Sequence, residues 1–367
     1  MRPVDFDQAP FLVIWETTQA CELACRHCRA SAQPDRHPGE LTTAEGVQVL
    51  EQVAAMGTQI VVLSGGDPAS RPDLVDLVRA GKGLGLRMAT IPAATPRLGR
   101  DLLVRLKEVG LDQIAFSLDQ PRAEWHDEFR RVPGAFAKTM DGVRWAHEVG
   151  LPLQINSTLC ADTLPHLQEM SELVDRLGIV FWEVFFLVPM GRGAELSGLS
   201  AQQCEDAFAL LHRVQSRNRF VVKVTEAPHY RRYAAQQEGP ARPTGRPDGG
   251  HPGGHPNVIG LAHRGVNAGS GFLFVSHLGE VYPSGFLPIP CGNVRTTTLA
   301  DAYRNSPLLQ SLRDPDRLLG RCGRCEYRVL CGGSRSRAFA LTGSPLETDP
   351  WCGYLPAGVA ASHPIPV

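Results

Sequence analysis

The first half of the chain alternates short apolar runs with amphipathic segments. Six runs have the length and the β-branched or aromatic content of buried strands, and each adjoins a segment with helical periodicity. They cover residues 11–18, 59–66, 86–92, 112–119, 151–159 and 180–188. Thr42 and Glu45 have the spacing of a capping box that begins the first helix, and Gly57 ends it. Six β/α units in series predict a parallel sheet, curled or open, with helices outside it and functional loops after the strands.

The pattern changes in the second half. Residues 238–258 are rich in Pro, Gly and His, and they predict a loop or linker. His251 and His255 within it can bind a metal, although the composition alone explains an exposed polar loop. Residues 271–284 then predict a hairpin that turns at Leu278 and Gly279, and residues 298–313 predict one helix.

Composition and charge narrow the class of protein. A chain of 367 residues with 43% apolar residues can bury a large core in one or two domains. The formal charge of -1, without a block of like charges, gives no reason to expect a nucleic-acid partner. The chain has neither a signal-like start nor an apolar run of membrane-spanning length, so we expect a cytoplasmic protein without a membrane partner. In a reducing cytoplasm, cysteines act as ligands or free thiols rather than as disulfides.

The ten cysteines form two groups and three isolated positions. The first group, Cys21, Cys25 and Cys28, follows the first predicted strand. Three thiolates in one loop can hold three irons of a [4Fe–4S] cube and leave the fourth iron open for chemistry. A zinc site with His27 as fourth ligand is the alternative, but His27 lies next to Cys28, unlike the separated ligand pairs of structural zinc sites.

The sequence CELACRHC after a strand resembles the cluster motif of the radical S-adenosylmethionine (SAM) enzymes. The resemblance implies a partial (β/α)6 TIM-like barrel, here residues 8–237, and catalytic cluster ligands at Cys21, Cys25 and Cys28. It implies that SAM chelates the open iron through its amino and carboxylate groups. An electron from flavodoxin or ferredoxin then breaks a C–S bond of SAM and yields a 5′-deoxyadenosyl radical. His27 stands where the family usually has an aromatic residue.

Further signals of this family follow in order at the ends of the predicted strands. The motif SGGDP resembles the family's Gly-Gly-Glu motif, in which Asp67 would contact the SAM amino group. In GRG after the sixth strand, Arg192 would pair with the SAM carboxylate. The resemblance assigns SAM contacts to Gly65, Gly66, Asp67, Pro68, Ser117, Asp119, Asn156, Thr158, Leu187 and Arg192. Each signal has a structural alternative, such as a turn or a surface arginine. The occurrence of all the signals in this order along the chain is stronger evidence for the family than any single signal.

The second cysteine group can supply four thiolates to a fully ligated cluster. Its members are Cys322, Cys325, Cys331 and Cys352. The group is similar to the C-terminal part of the SPASM extension of radical SAM enzymes, which implies a small α+β iron–sulfur domain over residues 259–367. Arg335 and Ser284 stand where further cluster ligands are expected, so we expect one auxiliary [4Fe–4S] cluster. Zinc held by four cysteines is the alternative.

The three isolated cysteines have simpler interpretations. Cys291 is expected to be a free thiol, and Cys160 and Cys204 are expected to act as small apolar residues. The segment TEAPHYRR, residues 225–232, offers side chains that can contact a carboxylate-bearing substrate, or it is a solvated helix start.

Across nearly the whole chain the pattern most resembles the radical enzymes of haem and haem-d1 synthesis. The resemblance implies hydrogen abstraction from a tetrapyrrole, a peptide or another small metabolite, for oxidative modification. The auxiliary cluster would accept or conduct the electron of the substrate radical. Two alternatives remain open: an iron–sulfur electron-transfer or scaffold protein without SAM cleavage, and a zinc-bearing binding module.

Overall fold

A computed structural model describes residues 4–238 and 265–357. Residues 239–258 of the expected linker, with His251 and His255, lie outside the described residues. The described residues form strands β1 Leu12–Glu16, β2 Ile60–Ser64, β3 Arg87–Thr90, β4 Gln113–Ser117, β5 Leu153–Leu159, β6 Phe181–Phe186, β7 Val221–Thr225, β8 Phe272–Val275, β9 Glu280–Tyr282 and β10 Gly292–Asn293.

Helices follow most of the parallel strands, as the alternating pattern predicts. In the first part of the chain they are α1 Thr43–Ala55, α2 Leu74–Gly83, α3 Arg100–Glu108, α4 Ala123–Arg130, α5 Ala135–Val149, α6 Leu167–Arg176, α7 Ala201–Arg217 and α8 His229–Glu238. The later ones are α9 Leu299–Asn305, α10 Pro307–Arg313, α11 Gly320–Gly323 and α12 Arg335–Thr342. No helix among the described residues is long and apolar enough to cross a bilayer.

The strands form a single sheet in the order β10-β9-β8-β1-β2-β3-β4-β5-β6-β7. The six predicted strands are all present and pair in parallel in chain order, so the prediction of a parallel α/β sheet is confirmed. Two further strands extend it in parallel: β7 beside β6, and β8 beside β1. Because β8 begins the predicted hairpin, the C-terminal part of the chain continues the sheet of the barrel.

Local signals account for several element ends. The capping box is confirmed, since the backbone N–H of Glu45 donates to Thr42 Oγ1 at 3.2 Å and that of Thr42 donates to Glu45 Oε2 at 2.8 Å. Gly57 follows the helix at a φ of 82°. The hairpin turn is confirmed as well, with Gly279 at a φ of 83°.

The prediction of one helix over residues 298–313 is wrong. The chain forms α9 and α10 instead, with Ser306 extended between them at φ -61° and ψ 122°. Pro307 lacks an N–H and disfavours helical geometry in the residue before it, so the second helix begins at the proline.

One apolar core joins the two parts of the chain. Leu299, Tyr303, Leu309 and Trp351 from the C-terminal part belong to the same buried cluster as the strands and helices of the barrel. The hydroxyl of Tyr303 donates to the carbonyl oxygen of Phe6 at 2.7 Å. The C-terminal segment therefore packs against the barrel, which fixes the position of its cysteines relative to the sheet.

Candidate active site

The loop after β1 brings the first three cysteines to one cavity inside the sheet. Cys21 and Cys25 are buried, Cys28 is half-buried, and all three line the cavity. Each sulfur accepts one hydrogen bond at 3.4 Å: from Leu23 N–H to Cys21, from Arg130 Nη1 to Cys25, and from Ala32 N–H to Cys28. Burial raises the pKa of the Cys21 thiol to about 12 and also raises that of Cys25. Thiols in such surroundings ionise when a metal supplies the positive charge.

Arg130 is a site residue that the sequence analysis missed. It ends α4, pairs with Asp119 at 2.5 Å and donates to the sulfur of Cys25. Burial disfavours the charge of Arg130, but the neighbouring Asp119 and Cys25 outweigh it and raise the pKa of the guanidinium. Burial likewise opposes the ionised form of Asp119, while Arg130 holds the pKa of that carboxyl down to about 2. A permanent ion pair therefore lies beside the cysteine loop.

His27 packs inside the same loop, against an aromatic side chain. Its ring stacks on Phe129 with centroids 4.8 Å apart, and burial lowers its pKa to about 4. The imidazole is therefore neutral at physiological pH, and it also lines the cavity. Within the ranges that the structure describes, no three His, Cys, Asp or Glu side chains are grouped tightly enough to hold a single metal ion.

The loop after β6 forms hydrogen bonds with the backbone of the cysteine loop. Arg192 donates from its backbone N–H to Cys28 O at 3.1 Å, from Nε to Cys25 O at 2.9 Å and from Nη1 to Ala32 O at 3.2 Å. Arg192 does not line the cavity. Its guanidinium fixes the loop backbone here, whereas the sequence analysis assigned it to the SAM carboxylate.

Gly191 is required for this contact between loops. It has a φ of 54°, and a Cβ there would lie 2.3 Å from Arg29 O and 2.6 Å from Cys28 O. We expect Gly191→Ala to lower the free energy of unfolding by about 1 to 3 kcal/mol, because strain and a backbone clash add together. The measurement is chemical denaturation, together with iron content after anaerobic reconstitution.

Gly83→Ala is the matched control for Gly191→Ala. Gly83 lies at the end of α2 without a positive φ, and nothing approaches the position of its missing Cβ within 4 Å. Alanine favours helix, so this variant should be neutral or slightly more stable. Equal losses in the two variants would contradict the role of Gly191.

The backbone of the loop after β2 also lies close to the backbone of the loop after β1. Gly65 and Gly66 line the cavity, and a Cβ at Gly66 would lie 2.5 Å from the carbonyl oxygens of Gln19 and Ala20. Asp67 points elsewhere: its carboxylate accepts from Ala69 N–H at 3.0 Å, from Ala93 N–H at 3.1 Å and from Thr95 Oγ1 at 2.7 Å. Asp67 and Pro68 do not line the cavity. The carboxylate of Asp67 therefore joins the loops after β2 and β3.

The cavity itself has a volume of about 340 Å³ and lies inside the curved sheet. Five residues that the sequence analysis assigned to SAM contacts line it on β4, β5 and the loops that follow β4 and β6: Ser117, Asp119, Asn156, Thr158 and Leu187. The backbone N–H of Thr158 donates to Asp119 Oδ1 at 2.8 Å. The structure thus brings these residues to one cavity with the cysteines.

Deeper in the cavity lies a polar ladder that the sequence analysis missed. Gln154 Nε2 donates to Glu183 Oε2 at 2.9 Å, and Glu183 Oε1 accepts from Thr225 Oγ1 at 2.6 Å and pairs with Lys223 at 2.8 Å. These residues alternate along β5, β6 and β7, so the two-residue period of strands is the signal that identifies them. Apolar side chains of the first two strands and of β8 face the same cavity: Leu12, Ile14, Ile60, Val62, Phe272 and Phe274.

The segment after β7 contributes two of its polar residues to the cavity. Glu226 and Arg231 line it, whereas His229 is fully buried away from it and Arg232 pairs with Glu205. Glu226 has a φ of 56°, which is unusual for a residue with a side chain. Its carboxylate accepts hydrogen bonds from three serine hydroxyls, those of Ser284, Ser334 and Ser336, at 3.4, 2.6 and 3.0 Å. Burial nevertheless raises the pKa of Glu226.

The second cysteine group lines a separate, smaller cavity of about 30 Å³. All four members, Cys322, Cys325, Cys331 and Cys352, contribute to its wall. Burial raises the pKa of Cys352 to about 11 and also raises that of Cys331. The four thiols therefore line one cavity.

Arg335 and Ser284, which replace expected cluster ligands, have other contacts. Arg335 donates to the carbonyl oxygens of Pro345 and Glu347 at 2.9 and 2.7 Å, and its Nη2 lies 3.6 Å from the sulfur of Cys322. Ser284 lines the large cavity beside Glu226.

The isolated cysteines lie outside both cavities. Cys160 and Cys204 are fully buried in the apolar core, in agreement with their interpretation as small apolar residues. Cys291 is half-buried and its thiol points to the carbonyl oxygen of Ile289 at 3.6 Å.

The fold is a partial α/β barrel, and three cysteines in the loop after its first strand lie at the edge of an internal cavity. This combination defines an enzyme class that uses an iron–sulfur cluster. The chain belongs to the radical SAM superfamily, whose family model matches residues 15–174. The recognition made from the cysteine motif is therefore confirmed, and the protein is an enzyme. The family implies SAM and a [4Fe–4S] cluster as cofactors.

Relatives extend the similarity over almost the whole chain. A protein of Oleidesulfovibrio alaskensis named AdoMet-dependent heme synthase is 38% identical over 94% of this chain and 87% of its own length. A protein of Methanosarcina barkeri with the same name is 38% identical over 95% of this chain and 97% of its own. Among solved structures, Streptococcus suis SuiB bound to S-adenosylmethionine has a TM-score of 0.71 at 15% identity and covers 95% of this chain and 78% of its own, which shows the shared fold.

The residues of the first site fit the cofactors that the family implies. Three thiols line the edge of one cavity and each receives a hydrogen bond, as cluster sulfurs commonly do. Gly65 and Gly66 leave their stretch of the cavity wall without side chains. The volume of about 340 Å³ lies within the range of roughly 300 to 1,000 Å³ that small-molecule sites occupy.

Proposed function

We propose that this enzyme reductively cleaves SAM and removes a hydrogen atom from a tetrapyrrole that carries carboxylate side chains, in a step of haem synthesis. The observation that carries this proposal is the 38% identity to two AdoMet-dependent heme synthases over 94% and 95% of the chain. That similarity extends well beyond the superfamily match at residues 15–174.

Within this proposal, Cys21, Cys25 and Cys28 hold the SAM-binding [4Fe–4S] cluster. When bound, the cluster would supply an electron from flavodoxin or ferredoxin for the cleavage of SAM to a 5′-deoxyadenosyl radical, the agent of hydrogen abstraction from the substrate. Gly65, Gly66, Ser117, Asn156, Thr158 and Leu187 surround SAM. Asp119, fixed by Arg130 and by the N–H of Thr158, offers an oriented carboxylate to the same space.

Two residues with assigned SAM contacts take a different part in this proposal. Arg192 and Asp67 position the loops around SAM, because Nε and Nη1 of Arg192 donate to loop backbone and the carboxylate of Asp67 accepts from loop backbone and from Thr95. Asp67 does not line the cavity, so its carboxylate is a poor partner for a cation there.

The second cysteine group holds one auxiliary [4Fe–4S] cluster in this proposal, within a C-terminal domain of residues 259–367 that follows a core of residues 8–237. One observation supports a shared cluster: the four thiols line a common cavity. The auxiliary cluster would take up or conduct the electron that the substrate releases.

The large cavity also suits a tetrapyrrole. Its apolar wall, with Ile14, Val62 and Phe274, matches the flat carbon surface of a macrocycle. Arg231, which lines the same cavity, matches a carboxylate at the edge of the macrocycle.

The proposal is tested with anaerobically reconstituted protein, SAM, a chemical or flavodoxin reductant, and porphyrins that carry propionate side chains. We expect 5′-deoxyadenosine to form, and deuterium from deuterated side chains to appear in it. Absence of SAM cleavage in the reduced protein would instead support an electron-transfer or scaffold protein. SAM cleavage with deuterium transfer only from a peptide would contradict the tetrapyrrole.

A further inference from the structure

Four Arg and Lys side chains line the large cavity among the described residues: Arg29, Arg130, Lys223 and Arg231. Three of them already have a carboxylate partner. Arg29 pairs with Glu16, Arg130 with Asp119 at 2.5 Å, and Lys223 with Glu183 at 2.8 Å.

Arg231 is different from the other three. Its Nη2 donates to the carbonyl oxygen of Val266 at 2.5 Å. Among the described residues Arg231 has no ion pair with a carboxylate, and its charged neighbour is the thiol of Cys331, a member of the second cysteine group. Glu226 lines the same cavity and comes from the same connection, but its two carboxylate oxygens accept from serine hydroxyls. Arg231 therefore lines the large cavity without a carboxylate partner among the described residues, unlike the other three cations.

The surroundings of Arg231 define what kind of anion fits. Val266, Ala268 and Phe272 line the same cavity, so the approach to the guanidinium is partly apolar. A guanidinium presents parallel N–H groups that match the two oxygens of a carboxylate. A carboxylate on a short aliphatic stem satisfies both the apolar approach and the charged end.

We propose that Arg231 anchors a carboxylate side chain of the substrate, an inference that rests on the proposed function. The anchor is a substrate-binding site at the wall of the cavity next to the second cysteine group. Asn267 in this wall donates from Nδ2 to the carbonyl oxygen of Gly333 at 2.9 Å, two residues after Cys331. A substrate held at Arg231 is therefore directed toward the site proposed to receive its electron.

The test compares Arg231→Met, which removes the charge at similar length, with Arg231→Lys, which keeps it. Binding is measured by the absorbance shift of a porphyrin with four propionates, and of the matching tetra-amide, on anaerobically reconstituted protein with SAM. We expect Arg231→Met to weaken the carboxylate porphyrin about 10- to 100-fold, as expected for a lost charge-assisted hydrogen-bonded pair. The tetra-amide should bind both proteins equally, and Arg231→Lys should recover part of the affinity.

Arg219→Met is the matched control. Arg219 is exposed just before β7, so its replacement makes the same charge change outside the cavity and should leave affinity unchanged. Iron content and the unfolding midpoint of each variant show whether the protein remains folded. If Arg231→Met is destabilised, an affinity of Arg231→Lys as low as that of Arg231→Met would overturn the anchor.

Two outcomes separate the inference from the function on which it rests. If the wild type binds both porphyrins equally and Arg231→Met changes neither, the anchor is wrong while the tetrapyrrole function stands. If the wild type binds neither porphyrin, the tetrapyrrole function fails, and the anchor for its carboxylate fails with it.

Discussion

Replacement of Cys21, Cys25 and Cys28 by alanine is expected to abolish SAM cleavage and to lower the iron content from about eight to about four per chain. The three thiols line the cavity together and belong to the superfamily match at residues 15–174. The second cysteine group lies in a cavity of its own, with separate lining residues. One site can therefore be emptied while the other keeps its cluster. Iron and acid-labile sulfide after anaerobic reconstitution, followed by a 5′-deoxyadenosine assay, provide the measurement.

A triple variant of the isolated cysteines is the control for this experiment. Cys160, Cys204 and Cys291 lie outside both cavities, so their replacement by alanine removes the same number of thiols but should leave about eight irons. Retention of SAM cleavage in the variant of the first group would refute its assignment. About four irons in the wild type and none in that variant would leave a single cluster, and the second group would then be a zinc or thiol site.

The strand pattern and the cysteine spacing predict the parallel sheet and the cysteine loop that follows its first strand. Strands buried on both faces appear as short apolar runs, and the loop after the first one contains the three thiols in sequence. The run at β7 was harder to recognise, because Lys223 interrupts it. Lys223 lines the cavity and pairs with Glu183. The charged residue that weakens the strand pattern in the sequence is therefore part of the site.

Side-chain direction limited the prediction of the site. Asp67 and Arg192 have the residue types that a SAM contact requires, and in the structure both form hydrogen bonds with loop backbone. No sequence pattern gives this direction, since it depends on which loops meet in three dimensions. Arg130 shows the reverse case: it reaches Cys25 from a helix 105 residues later in the chain, so local spacing gives no signal for it.

The buried pair between Arg337 and Asp349 connects the barrel with the second cysteine group. Both side chains are fully buried, and Arg337 donates to the two carboxylate oxygens of Asp349 at 2.9 and 2.8 Å. Arg337 also packs 4.2 Å from the ring centroid of Trp351 and reaches the carbonyl oxygen of Leu187 on the barrel at 3.4 Å. Burial alone would raise the pKa of Asp349, but the charge of Arg337 outweighs it and lowers that pKa.

Arg337→Met is therefore expected to cost about 3 to 5 kcal/mol of unfolding free energy, because it leaves the carboxylate of Asp349 buried without its cation. Asp349 precedes Cys352 by three residues and Arg337 follows Cys331 by six, so the loss should fall on the second cluster. We expect the variant to retain about four irons, held by the first group. The measurements are iron content and the denaturation midpoint.

The double variant Arg337→Met/Asp349→Asn distinguishes loss of charge balance from loss of packing. With both charges removed, the cost of an unpaired buried ion disappears, so the double variant should be more stable than Arg337→Met alone. The substitution Asp349→Asn keeps a side-chain oxygen that can accept from the backbone N–H of Ser334, which lies 2.9 Å from the Asp349 carboxylate. If the double variant loses as much stability and iron as the single one, the shape of Arg337 against Trp351, rather than its charge, holds the second site together.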